Sequence, residues 1–241
     1  MGRRTGTFAM SLAVALLAAG LTASQLVGGE QPADAGQHVP RAAPGEREQV
    51  RPGARTPAEP FEVGAVQHTL RGLGYQVREV SGVVDDETRH AVVAFQKVQG
   101  LPRTGVLDPD TLAALEDPAV PRPRSAGRGF HVEVDLTTQV AYTVVDGEVR
   151  RIYDASTGRE PAKRTPVGEF TVRYQIDGMR YAPLGPLYRP SYITDTGIAL
   201  HGGEPVEPWP ASNGCVRLTD PSVDELFGKL RPGTTVVVYR S

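Results

Sequence analysis

The sequence predicts a multi-domain α + β protein: a small three-helix module followed by a mainly-β, β-sandwich-like domain with one helix near the C-terminus. Three observations predict it. Apolar residues recur at helical spacing between residues 60 and 116, then alternate with a period of two from residue 130 onward. A proline-rich break over 117–127 separates the two patterns. Within the helical part a short segment repeats: Gly82-Val83-Val84-Asp85-Asp86-Glu87-Thr88 returns as Gly105-Val106-Leu107-Asp108-Pro109-Asp110-Thr111. A length of 241 residues allows one to two ordinary domains once end segments and linkers are set aside.

The first segment, 1–28, begins with Arg3 and Arg4, continues through the uncharged apolar run Phe8 to Leu17, and ends in the small residues Ala18, Ala19, Gly20, Ala23 and Ser24. That order predicts a signal peptide, with an uncleaved N-terminal anchor as the alternative; both place the remainder outside the cytoplasm. A membrane is a partner only if this segment is uncleaved. Residues 29–59 are rich in Pro, Ala, Gly, Gln, Glu and Arg, and are expected to form a disordered linker, because so few apolar groups cannot offset the ordering entropy.

In the helical module, 60–116, Val63, Val66, Leu70 and Leu73 fall on one helical face and Gly74 offers a left-handed stop. In each copy of the repeat the first aspartate, Asp85 or Asp108, is placed to cap a helix, and Pro109 sits where a missing N–H costs nothing. The helix after Thr88 presents Ala91, Phe95 and Val98; the one after Thr111 presents Leu112 and Leu115. The linker 117–127 is expected to be a semi-rigid spacer.

The second domain, 128–241, opens on a strand from Phe130 to Leu136 that alternates around His131, Glu133 and Asp135. Val140 to Val145 and Glu148 to Asp154 flank Asp146-Gly147 and predict a hairpin. Further strands are expected at Gly168 to Tyr174, Gly197 to His201 and Thr234 to Tyr239. Asp220 is placed to cap one helix with Pro221 at its first position. Gln175 to Thr196 reads as a long loop in which Tyr181, Tyr188, Arg189 and Tyr192 either form a lid or pack on one another.

The chemistry-bearing stretch is His201-Gly202-Gly203, a loop, and then Ser212-Asn213-Gly214-Cys215-Val216-Arg217-Leu218. A thiol becomes a nucleophile when an imidazole takes its proton. His201 ends a strand, Cys215 lies on a glycine-flanked turn close in sequence, and amide groups around Cys215 are placed to face an oxyanion. Those parts suit acyl transfer. Taken alone, the single cysteine would more commonly be a buried small hydrophobe.

Two resemblances cover most of the chain. Val66-Gln67 with Leu70, Leu73-Gly74-Tyr75, the Gly82 repeat, Ala91-Val92 with Phe95-Gln96, Gly100-Leu101 and the Gly105 repeat together resemble the peptidoglycan-binding domain of wall enzymes. The His-Gly pair, the Ser-x-Gly-Cys-Val-Arg run, Ser156-Thr157-Gly158 and Thr165-Pro166-Val167-Gly168-Glu169-Phe170 resemble the YkuD family of cysteine L,D-transpeptidases. The resemblance implies Cys215 as nucleophile, His201 as its base, and the Gly202 carbonyl as holder of the imidazole tautomer. It implies an oxyanion hole from Asn213, Gly214 and Cys215. Ser212 and Arg217 shape the loop, with Arg217 either positioning substrate or bracing the loop through a buried ion pair. Many members carry His where this chain has Asn213. His131 is expected on the strand surface. The implied partner is peptidoglycan, with a tetrapeptide donor and a neighbouring stem as acceptor; a wall-binding protein using the β-domain as scaffold is the non-catalytic alternative.

Other classes lack their residues. A formal charge of -2 gives nucleic acid no electrostatic attraction. One cysteine excludes an intrachain disulfide or a thiolate zinc site, and the 5 histidines include no H-x-x-x-H pair, so neither metal nor cofactor is expected. No serine has lysine three positions later, which excludes a penicillin-binding serine site.

Overall fold

The computed structural model describes residues 60–241, with side chains from residue 63 onward; the expectations for 1–28 and 29–59 lie outside the described residues. Among the described residues there are four helices and one ten-stranded sheet. No helix there is long and apolar enough to cross a membrane.

Three helices come first: α1 (Pro60–Gly72), α2 (Asp86–Gln99) and α3 (Pro109–Glu116). Asp85 caps α2 by accepting from the Thr88 amide at 2.7 Å, and Asp108 caps α3 by accepting from the Thr111 amide at 2.9 Å. The repeat runs deeper than its caps. Gln67 is fully buried; its side-chain nitrogen donates to Ser81, Val83 and Thr88, and its oxygen accepts from the Gly82 amide. Gln96 repeats the pattern with Thr104, Val106, Thr111 and Gly105. Each glutamine thus satisfies a turn that would otherwise bury backbone groups without partners.

The strands are β1 (Phe130–Asp135), β2 (Val140–Val145), β3 (Glu148–Ser156), β4 (Gly168–Thr171), β5 (Tyr174–Gln175), β6 (Met179–Ala182), β7 (Gly185–Tyr192), β8 (Ala199–Gly202), β9 (Val216–Leu218) and β10 (Thr235–Tyr239). Their order is β4-β10-β1-β2-β3-β9-β8-β7-β5, with β6 paired to β7. The sheet curls so that both halves share one core: Val132 and Val134 of β1, Tyr153 and Ala155 of β3, Leu200 of β8, and Val216 and Leu218 of β9 meet there. Helix α4 (Asp220–Phe227) adds Val223 and Leu226 to it. Its cap is Thr219, whose hydroxyl accepts from the Ser222 amide at 3.2 Å, one residue before the expected Asp220.

A second core joins helices to sheet. Val66, Leu70, Ala91, Val92 and Phe95 pack with Val140, Tyr142, Val144 and Ile152, the outer face of β2 and β3. Tyr75 forms a bridge to Ile152, reinforced by Ile152 N–H to Gly74 O at 2.9 Å. This explains why α2 is buried nearly all round, beyond its expected single face. The acidic alternation of β1 is buried as well. Glu133 accepts from the Arg124 and Ser125 amides at 2.6 and 2.7 Å, so the linker 117–127 lies pinned across β1. His131, expected at the surface, is 6% exposed and stands 3.1 Å from Glu133. The expected loop over 175–196 contains β6 and β7, an antiparallel hairpin in register from Met179 opposite Tyr188 to Ala182 opposite Gly185.

Candidate active site

Strands β8 and β9 are parallel neighbours, pairing Leu200 with Val216 and His201 with Arg217. Leu200, Val216 and Leu218 enter the core, so strand alternation turns His201 and Arg217 to the opposite face. Cys215, one residue before β9, joins them in a cleft of about 610 Å³ lined also by Tyr174, Arg180, Tyr192, Glu204 and Asn213. The hairpin β6–β7 forms one wall. Cys215 is partly exposed and free.

The imidazole is 2% exposed, and its Nδ1 lies 2.7 Å from the Gly202 carbonyl. A carbonyl oxygen only accepts, so Nδ1 carries the hydrogen and Nε2 is left as the basic nitrogen. Burial lowers the His201 pKa to about 4, against the Gly202 hydrogen bond; the Arg217 charge lowers it further. Burial also raises the Cys215 thiol above its ordinary value, opposed by the Ala199 backbone and the Arg217 charge. Both shifts favour a neutral thiol beside a neutral imidazole. The hydrogen bonds of the described residues include none between the two; Cys215 Sγ points instead to the Gly197 carbonyl at 3.7 Å.

The turn before Cys215 is held from several sides. Ser212 Oγ donates to the Cys215 carbonyl at 2.6 Å and accepts from the Gly214 amide at 3.1 Å. Thr165 Oγ1 donates to the Gly214 carbonyl at 2.8 Å and accepts from the Gly158 amide at 2.9 Å. Gly214 has φ 121°, and a Cβ there would press on Ile198. At Gly202 a Cβ would collide with Asp220 and Tyr188.

Comparison with known proteins places these residues in a family. The YkuD family, described as the L,D-transpeptidase catalytic domain, matches residues 129–238, and a peptidoglycan binding domain family matches 62–115. The chain is similar to an L,D-transpeptidase of Xylanimonas cellulosilytica DSM 15894 at 39% identity, with TM-score 0.70, covering 74% of this chain and 93% of that one. It belongs to the L,D-transpeptidase family. A solved L,D-transpeptidase from Stackebrandtia nassauensis is 26% identical, with TM-score 0.48, over 73% of this chain and 89% of that one. No curated protein matches the chain.

Within this member of the L,D-transpeptidase family the residues singled out from sequence do not all stand alike. Cys215, His201, Arg217, Ser212 and Asn213 line one cleft, and Gly202 closes the back of the imidazole. The Gly214 amide is engaged by Ser212, while no hydrogen bond of the described residues engages the Asn213 or Cys215 amide. Asn213 Oδ1 accepts from Arg159 at 2.7 Å. Arg217 makes no ion pair among the described residues; it donates to the Pro205 carbonyl at 3.0 Å. Of the four lid candidates only Tyr192 lines the cleft, stacked on Tyr174 at 4.5 Å. Tyr188 and Arg189 bind Asp224 instead. Sequence reasoning missed Arg180 and Glu204 as cleft residues; neither carries a spacing signal, because the fold brings each in from a separate hairpin or loop. No group of three metal-binding side chains occurs among the described residues.

Proposed function

We propose that this L,D-transpeptidase forms 3→3 cross-links in peptidoglycan through a thioester on Cys215. The observation that carries the reading is the pairing of an unprotonated Nε2 on His201 with a partly exposed thiol in one cleft. As substrate enters, Cys215 gives its proton to Nε2 while sulfur attacks the carbonyl of the L-configured third residue of a donor tetrapeptide stem. The resulting oxyanion is received by amide hydrogens at Asn213 and Cys215; the Gly214 amide holds the loop shape. The C–N bond to the terminal D-residue breaks, and the imidazolium returns the proton to the leaving amine. An amine from a neighbouring stem then attacks the thioester, His201 takes its proton, and the thiolate leaves and is reprotonated. Water in place of the amine makes the same chemistry an L,D-carboxypeptidase.

Ser212 and Thr165 keep the turn in shape, and Arg217 favours the developing thiolate by its charge. Activity on wall material fits an extracytoplasmic protein, delivered by the signal or anchor expected at 1–28. The helical module is assigned to wall recognition.

Purified protein incubated with stem tetrapeptides bearing L-lysine or diaminopimelate at position three is expected to lose the terminal D-residue and show a transient thioester by mass spectrometry. A carbapenem should form an adduct at Cys215. Release that persists in Cys215→Ala, or its absence from the wild type with either peptide, would sink the reading.

A further inference from the structure

The loop over 203–211 joins His201-Gly202 to Ser212–Cys215, so its position sets how the two reactive side chains face each other. It contains little regular structure and is held chiefly by its backbone carbonyls. Arg217 of β9 binds the Pro205 carbonyl at 3.0 Å, and Ser156 at the end of β3 binds the Trp209 carbonyl at 2.7 Å. A further contact comes from the helical module. Arg103, in the turn after α2, donates through Nη1 to the Pro208 carbonyl at 2.8 Å and through Nη2 to the Thr137 carbonyl at 3.2 Å. His90 of α2 adds a longer approach, 3.8 Å from Nε2 to a carboxylate oxygen of Glu204, which itself lines the cleft.

Resting on the function proposed above, we infer that Arg103, supported by His90, is a positioning residue of the reaction: the helical module clamps the loop between base and nucleophile. The geometry supports this in two ways. Arg103 ties the loop and the β1–β2 turn at once, through a fork that lysine cannot reproduce at both carbonyls. The module also has a fixed base to pull from. Lys97 of α2 is buried against Asp154 and donates to the Gln139 and Ala155 carbonyls at 3.0 and 2.8 Å, while His90 Nδ1 meets the other Asp154 oxygen at 2.7 Å. The clamp thus hangs from helices that share a core with β2 and β3 and do not swing freely. Displacement of reacting groups by about 1 Å costs up to about a hundredfold in rate, so a loosened loop should be felt in turnover.

The chain contains 1 tryptophan, Trp209, and it lies in this loop, 57% exposed. Its fluorescence therefore reads the clamp without reference to activity. The experiment compares full-length wild type, Arg103→Ala, Arg103→Lys and, as a control on the same module, Arg89→Ala, whose exposed pair with Asp86 touches no part of the loop. Release of the D-residue from the stem tetrapeptides is measured with acrylamide quenching of Trp209. Arg103→Ala should lower kcat about tenfold with KM changed less than about threefold, and quench more readily; Arg103→Lys should recover part of both, and Arg89→Ala should match wild type. Unchanged kcat and quenching in Arg103→Ala, or equal losses in Arg89→Ala, overturn the inference. An inactive wild type overturns the function on which it rests, a failure the fluorescence arm keeps distinct.

Discussion

Two histidines flank the same loop, and their surroundings drive them in opposite directions. His201 is buried against the Gly202 carbonyl with no carboxylate beside it, and burial, helped by the Arg217 charge, holds its pKa down at about 4. His90 is also penalised by burial, but the hydrogen bond and charge of Asp154, with Glu204 adding to them, outweigh that penalty and the nearby Lys97 charge, leaving its pKa raised. A carboxylate partner shifts an imidazole toward its protonated form, whereas burial without one favours the neutral ring. The difference separates a side chain that holds the fold from one equipped to move a proton.

The largest expected effect tests the catalytic half of that comparison. His201→Gln should lower kcat/KM by about 10³-fold with a native unfolding curve, whereas His90→Gln should keep at least roughly a tenth of wild-type turnover. Comparable losses from both would erase the distinction. On the structural side, Asp154→Ala strands Lys97 and should cost about 3–5 kcal/mol in urea denaturation. A loss below about 1 kcal/mol would mean that the ion pair contributes little.

The two rings should also leave opposite marks on stability. Below ~6.5 the unfolded chain binds a proton at position 201 that the folded protein refuses until about pH 4, so stability should fall by about 3 kcal/mol as pH drops through that window. At His90 the folded state binds the proton more tightly, so its contribution is complete below ~6.5 and is lost as pH rises through the raised folded value. Urea midpoints of wild type, His201→Gln and His90→Gln across this range should show the acid-side slope vanish in the first variant and the alkaline-side slope in the second. Asn213→Ala should do least. It loses one hydrogen bond to Arg159 but keeps its backbone amide, so stability should move by less than about 0.5 kcal/mol, and a large loss of activity would move attention from the amide to the side chain.

Local chemistry was the legible part of the sequence. The aspartate caps of α2 and α3, the hairpin at Asp146-Gly147 and the spacing of His201 and Cys215 each depend on residues close together in the chain. What stayed hidden depends on distant partners. Glu133 reads as a surface residue because nothing nearby shows that a proline-rich strap covers it, and Asp135 because one of its partners, the Ser241 amide, lies 106 residues away. Lys97 reads as an ordinary helical lysine until Asp154 arrives from 57 residues away. The strands within 175–196 were masked by prolines and glycines, and their pairing supplies the order that local propensity lacks. At the site, Arg217 lines the cleft without the ion pair that was one of its two expected roles: it donates to a loop carbonyl, which no side-chain pattern encodes.

The apolar outer face of β2 and β3 limits how this protein can be rearranged. A catalytic half cut at residue 128 would turn Val140, Tyr142, Val144 and Ile152 to water as one greasy patch and leave Asp154 without its lysine. Such a fragment invites self-association, and a foreign wall-binding cassette spliced in its place would have to supply a matching apolar surface and a buried cation of its own.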